Sequence, residues 1–180
     1  MGGKGLRWLA PLLQAGLAVG LPGAVTAAPV GPPLAAAVPA PALLPGSVQS
    51  ASNLQADARL AAQLRRPIII LFSLPGCHFC DEVRRNYLLP LVRDAVPAQR
   101  PIVREIVVTG TQPLIGFGGE SSDEQAVAKA YGIGVTPTVL MLDAAGKLLV
   151  PALRGGDTSG LYGGYLDGAL QEAGQKMAPR

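Results

Sequence analysis

Two cysteines and a single histidine are the only thiolate and imidazole ligands in this 180-residue chain. A closed zinc site takes four ligands, usually Cys or His, so three such residues do not complete one. Charged residues are also scarce, at 15% against 49% apolar, which excludes global disorder and permits a packed core. No stretch interleaves basic residues with aromatics, so the footprint of a nucleic-acid binder is missing. The formal charge of +3 counts Lys4 and Arg7, which belong to a segment expected to be removed. Without them 13 basic side chains face 12 acidic ones, a charge of about +1 that offers no strong field to anionic partners. No internal repeat is present.

The front of the chain reads as a targeting signal. Lys4 and Arg7 form a positive start, residues 8–21 are apolar but broken by Pro11, Gly16 and Gly20, and Val25-Thr26-Ala27 presents a small-x-small site. The apolar stretch falls short of the roughly 20 residues that an anchor needs. Cleavage near Ala27 is therefore expected, with an uncleaved anchor as the alternative. No cysteine near the cut invites a lipid. Pro29, Pro32, Pro33, Pro39, Pro41 and Pro45 follow, a density that favours extended, solvated chain. The expected organisation is a signal peptide at 1–27, an Ala/Pro-rich disordered linker at 28–49, either a tether or an unselected leader, and one domain at 50–180. This implies export to the periplasm, with membrane contact only through the signal peptide.

Within the domain, Ser50 or Ser52 can cap a helix carrying Leu54, Ala58, Ala61 and Leu64, stopped by Pro67. Residues 68–72 form an unbroken β-branched and aromatic run, the pattern of a strand buried on both faces. Pro75-Gly76 turns the chain into a helix with Cys80, Val83, Tyr87 and Leu91 on one stripe, kinked or restarted at Pro90. A strand at 102–108 and a glycine-containing loop at 109–119 come next. A helix follows, capped by Ser121 or Ser122, with Glu124 completing a capping box from Ser121. It carries Ala126, Val127 and Ala130 and ends at Gly132. Residues 138–142 and 147–150 read as a β-hairpin, and a last helix spans about 161–173. Strands and helices alternate first, and an antiparallel hairpin closes the order, as in a mixed sheet flanked by helices.

The two cysteines stand together as Cys77-His78-Phe79-Cys80. At a helix start this spacing puts both sulfurs on the first turn, where free N–H groups and the helix dipole favour an anion at the first one. Such motifs lower a thiol pKa from about 8.5 to between about 3.5 and 7.5. Cys77 is thus expected to be the exposed attacking thiolate and Cys80 the buried resolving thiol. Two other readings stay open. A structural disulfide closing so short a loop adds only about 2 kcal/mol, and two thiolates with His78 could hold Cu(I). Histidine is the side chain whose ordinary pKa lies near neutrality, so His78, with Phe79, is a candidate for tuning the pair. Its alternative is a surface role, while Asp81 and Glu82 oppose a second anion and Arg84 and Arg85 offset them in part.

Three pieces in order resemble the thioredoxin superfamily, in particular its exported disulfide-reductase members. They are the apolar strand before Cys77-His78-Phe79-Cys80, the run Tyr131-Gly132-Ile133-Gly134-Val135-Thr136-Pro137-Thr138, and the turn Asp143-Ala144-Ala145-Gly146-Lys147. The similarity spans about 53–173. It implies a thioredoxin fold, a cis bond before Pro137 packed on the redox pair, and a Thr136 backbone that pairs with extended substrate. It further implies protein or small-thiol disulfides as substrates and a membrane electron-donor protein as partner. No cofactor is expected beyond the Cys77–Cys80 disulfide, and no metal. Two departures stand out. Pro75-Gly76 replaces a tryptophan, and Leu71 occupies the place of a buried acid, which leaves Cys80 to lose its proton to water or to Glu82. The loop at 110–119 is longer than the fold needs and has no assigned role. The function expected is that of a periplasmic thiol–disulfide oxidoreductase, a reductant by preference. A copper-passing protein and a docking domain with incidental sulfurs are the alternatives.

Overall fold

The computed structural model describes residues 47–95 and 100–178. The expected signal peptide at 1–27 and most of the expected linker lie outside them. The elements run β1 (Gln49–Ser50), α1 (Leu54–Leu64), β2 (Ile68–Ser73), α2 (His78–Glu82), a π-helical turn (Val83–Leu88), α3 (Leu89–Arg93), β3 (Ile102–Val107), β4 (Pro113–Ile115), β5 (Ser121–Asp123), α4 (Glu124–Ala130), β6 (Thr138–Leu142), β7 (Leu153–Arg154) and α5 (Tyr162–Met177).

β2 is buried at every residue because both its faces are covered by packed side chains, and it has no free edge, since it pairs parallel with β3 and antiparallel with β6. The five-stranded sheet reads β1-β3-β2-β6-β7, a mixed sheet as the alternation of elements implied. Side-chain alternation then divides the core. Ile68, Ile70 and Phe72 face one way, with Leu54, Ala58 and Ala61 of α1 and Val127 and Ala128 of α4. Ile69 and Leu71 face the other, with Val83, Leu88 and Val92 on the helical run after Cys77 and Leu166 and Ala173 of α5. Each large β2 side chain contributes roughly 1.5–3 kcal/mol through burial, which makes this strand the anchor for whatever its C-terminal end carries. α1 is tied to the sheet by an ion pair, Arg104 Nη2 to Asp57 Oδ1 at 2.5 Å. Among the described residues no helix is long and apolar enough to cross a membrane.

Several local expectations are corrected. Gln49 and Ser50 pair with Arg104 and Glu105, and Val48 is buried, so the folded chain begins before the linker boundary placed at residue 49. That pairing, with Ser52 accepting from the Ile115 amide at 2.9 Å, takes both serines out of capping. Asn53 caps α1 instead, its Oδ1 2.8 Å from the Ala56 amide, and Leu64 is exposed. The loop at 109–119 contains β4, which forms a small antiparallel sheet with β5. Asp123, the last residue of β5, caps α4 in place of either serine, with Oδ1 2.7 Å from the Ala126 amide. Glu124 makes no capping box; its buried carboxylate accepts from the Val107 amide at 3.1 Å. Val127 and Ala128 face the core, while Ala126 and Ala130 are exposed.

The hairpin from β6 begins as expected, with Leu142 bridging Leu148, but Leu153, not Pro151, meets Val139. Two extra residues bulge out where Pro151 has no N–H for the ladder. The helix after Cys77 accommodates Pro90 through the π-helical turn, in which the Leu89 amide bonds back to the Arg84 carbonyl. The wider turn loosens the packing where a proline ring presses on the carbonyl four residues back. α3 then restarts with Pro90 in its first turn.

Candidate active site

The C-terminal end of β2 hands the chain to a turn in which Gly76 has φ 72°, a value few side chains tolerate. The turn delivers Cys77 as the N-cap of α2, in extended conformation. Cys77 and Cys80 form a disulfide with their Cα atoms 5.2 Å apart. Their surroundings differ sharply: Cys80 is fully buried and Cys77 is partly open to solvent. Cys77 Sγ accepts the Cys80 amide at 3.2 Å, one of the free N–H groups of the first helical turn.

A second segment meets that sulfur from β6. Thr136 Oγ1 lies 3.9 Å from Cys77 Sγ and donates to it. The Thr136–Pro137 bond is cis. Thr138 holds the approach in shape by donating to the Val135 carbonyl at 2.8 Å. A third segment comes from β7: the Gly155 amide donates to the Pro137 carbonyl at 2.8 Å, and Gly156 lies against the Phe79 ring. The structure thus brings Cys77, Cys80, Thr136, Pro137 and Phe79 into one constellation. His78 is exposed, with its ring edge-on to Phe79 at 5.7 Å. Among the described residues no hydrogen bond joins His78 to either sulfur.

Charged groups behind the pair were only half foreseen. Glu105 of β3 stands opposite Leu71, and its carboxylate takes the Ser73 hydroxyl at 2.6 Å and Arg84 Nε at 2.8 Å. Arg84 also pairs with Asp81. Arg84's pKa is raised first by its hydrogen bond to Glu105, against the opposing effect of burial. Two charged residues in the middle of the otherwise apolar strand 102–107 were the signal for this cluster. On the other flank, Tyr87 donates its hydroxyl to Asp157. That bond is the first cause of the rise of Tyr87's pKa to about 12 and of the fall of Asp157's. Asp157 also accepts the Tyr162 amide at 3.4 Å, so it orders the loop that carries Gly156.

A disulfide with one open and one buried sulfur, set at a helix start on this sheet, defines a thiol–disulfide oxidoreductase. A family model described as a thioredoxin-like domain matches residues 54–159, and the chain belongs to that family. No curated protein matches. Among solved structures, oxidised mitochondrial thioredoxin 3 from Saccharomyces cerevisiae is similar at 20% identity, over 67% of this chain and 94% of that one, with a TM-score of 0.43. The C-terminal domain of Neisseria meningitidis DsbD in its oxidised form is similar at 22% identity, over 68% and 99%, with a TM-score of 0.40. The DsbH oxidoreductase is similar at 17% identity, over 72% and 89%, with a TM-score of 0.47.

Proposed function

We propose that the chain works in the periplasm as a reductant, passing two electrons from the Cys77/Cys80 dithiol to protein or small-thiol disulfides. The observation that carries this reading is the asymmetry of the pair. The buried sulfur belongs to Cys80, while Cys77 meets solvent and holds two donors, the Cys80 amide and the Thr136 hydroxyl. In the reduced protein, the Cys77 thiolate attacks one sulfur of the substrate, forming the Cys77–substrate bond as the substrate S–S bond breaks. The first substrate sulfur leaves as a thiolate and takes a proton. Cys80 then loses its proton and attacks Cys77 Sγ, expelling the second substrate thiol. The substrate is reduced and the pair is left oxidised.

Pro137 and the Thr136 backbone receive extended substrate beside Cys77, as an added strand would, and His78 and Phe79 tune the pair. The disulfide itself is the redox group, with no separate cofactor. An oxidising compartment keeps an unserviced pair oxidised, so a membrane thiol–disulfide transporter is the electron donor. The leader at 1–27 supports export.

Insulin reduction with dithiothreitol tests the reading. Activity is expected in the wild type and absent in Cys77→Ser, and Cys80→Ser is expected to accumulate a substrate adduct. A reductant has a potential near about −270 mV, an oxidant near about −120 mV. Stoichiometric Cu(I) retention without exchange would sink the proposal.

A further inference from the structure

The loop after β7 and the start of α5 build a concavity beside the redox helix, a cleft of about 180 Å³ whose lining includes Leu153, Asp157, Thr158, Tyr162 and Tyr165. Two contacts fix it to the site already described. Gly156 backs onto Phe79 so closely that a Cβ there would lie 2.6 Å from the ring. Tyr87, on the helical run that begins after Cys77, donates its hydroxyl to Asp157. A polypeptide lying across Cys77 and Phe79 toward α5 therefore reaches this cleft next.

Size and charge narrow the occupant. Whole small ligands fill cavities of roughly 300–1,000 Å³, so this space suits one side chain of a longer substrate and not an entire small thiol. Asp157 is the carboxylate in the wall. Its pKa is lowered first by the Tyr87 hydroxyl and then, against some burial, by the Tyr162, Gly160 and Ser159 amides; no cation takes part. Glu82, on the redox helix, adds to the negative field: after Asp157 and burial, it is the remaining cause of the rise in Tyr87's pKa. Neither carboxylate has an ion-pair partner among the described residues. Arg154 supplies none, since it stands opposite Thr138, and Thr138 opposite Phe72, which puts its side chain on the α1/α4 face of the sheet. Two negative charges thus go unanswered beside the cleft. Tyr162 is only 7% exposed, and its hydroxyl has no partner among the described residues, so an acceptor is left over in the same wall. Tyr165, 63% exposed, offers an aromatic face that attracts a cation and packs against the methylenes carrying it.

We propose that this cleft receives a Lys or Arg side chain of an extended polypeptide substrate whose disulfide lies at Cys77, with Asp157 setting the preference and Tyr165 covering the side-chain stem. The inference rests on the reductase reading and narrows its substrate class to polypeptides with a basic residue near the reducible cysteine.

The test uses acetylated, amidated peptides, each a disulfide-linked dimer, with Lys, Gln or Glu walked through the positions on both sides of the cysteine. Dithiothreitol supplies electrons, freed peptide thiol is read by chromatography, and the rate without enzyme is subtracted. At one position the Lys peptide is expected to exceed its Gln twin about fivefold in kcat/KM, a difference of about 1 kcal/mol, and the Glu peptide to fall below both. The difference should lie in KM and shrink with added salt. Asp157→Asn should bring the Lys and Gln twins together. Because the reading is a ratio of two peptides on one enzyme, a loosened loop that slows both leaves it legible. Thr158 is exposed at the rim, and Thr158→Lys should close the gap by setting a cation there while Asp157 keeps its hydrogen bonds. Should Asp157→Asn not fold, Thr158→Lys decides by the same ratio. Equal rates for Lys and Gln at every position, or a preference that survives Asp157→Asn, overturns the proposal while leaving the reductase reading intact. Failure to reduce both peptides and insulin takes the reductase reading down with it.

Discussion

Glu105 faces Leu71 across the parallel pairing of β2 with β3, so a carboxylate lies in the layer beneath the redox helix although the β2 position itself is apolar. It is not a free base. Arg84, whose helical run begins at Cys77, grips it through Nε at 2.8 Å and through Nη2, and Ser73 donates to it as well. The cluster fastens the helix carrying both sulfurs to the two strands behind it.

Breaking that grip from one side should cost more than removing it whole. Arg84→Met strands a carboxylate that is only 12% exposed, and a loss of about 2 kcal/mol is expected, below the usual range for buried pairs because Arg84 is itself partly solvated. The double variant Arg84→Met/Glu105→Leu removes the stranded charge and should recover at least half of that loss. Urea denaturation of the two variants measures the difference. Additive losses would show that Glu105 is not held by Arg84.

Thr136→Val keeps the shape of the side chain beside Cys77 and deletes the hydroxyl that donates to its sulfur. A hydrogen bond of this kind adds about 0.5–1.5 kcal/mol, and the 3.9 Å separation places it at the low end. The Cys77 thiol pKa, read from the pH dependence of alkylation, should therefore rise by about half a unit, or about 0.7 kcal/mol. No rise would mean that the Cys80 amide and the helix start stabilise the sulfur by themselves.

What could be read in advance follows the range of the interactions. The β2 strand announces itself because Ile68, Ile69, Ile70, Leu71 and Phe72 are contiguous and all buried. The redox pair is legible because its spacing is local, and the Thr136-Pro137 segment because it enters a strand. The start of α1 was misplaced where a distant strand claimed Ser50 through Glu105, and that of α4 because the chain stays extended through Asp123 before the helix begins. The return of the hairpin slipped because Pro151 cannot join the ladder. Tyr87 and Asp157 are 70 residues apart, and no periodicity links them.

Gly156 is required by its neighbour. An alanine Cβ would come 2.6 Å from Phe79 Cδ1 and 2.7 Å from Phe79 Cβ, closer than carbon atoms approach, and since Cβ cannot rotate away the loop and the start of α2 must part. Gly156→Ala should therefore push the loop after β7 away from Phe79 at the substrate face, raising KM for insulin about threefold to tenfold, a cost of about 0.7–1.4 kcal/mol. Pairing it with Phe79→Gly, which removes both the ring and the Cβ that lies 2.7 Å away, should abolish the further loss. Steady-state kinetics of the two single variants and the double one decide the matter. Equal and additive effects would mean that the two residues act apart.

The Tyr87–Asp157 bond should make stability depend on pH from both ends. Asp157's pKa is lowered in the fold, first by the Tyr87 hydroxyl and then, against some burial, by backbone amides. Its contribution is complete above the ordinary carboxylate value of about 4 and is lost as pH falls through the depressed one. Tyr87's pKa is raised to about 12, so its neutral form is the one the fold favours. That contribution is complete below the ordinary tyrosine value of about 10 and fades as pH rises toward 12. Thermal unfolding of the wild type and Tyr87→Phe should differ most between about pH 5 and pH 10. The gap should narrow below pH 4, where Asp157 protonates, and again above pH 11, where an ionised Tyr87 would face the Asp157 carboxylate. A gap constant across this range would mean that the hydroxyl is solvated in the fold and that the loop carrying Gly156 is held only by the backbone amides of Ser159, Gly160 and Tyr162 that bond the Asp157 carboxylate.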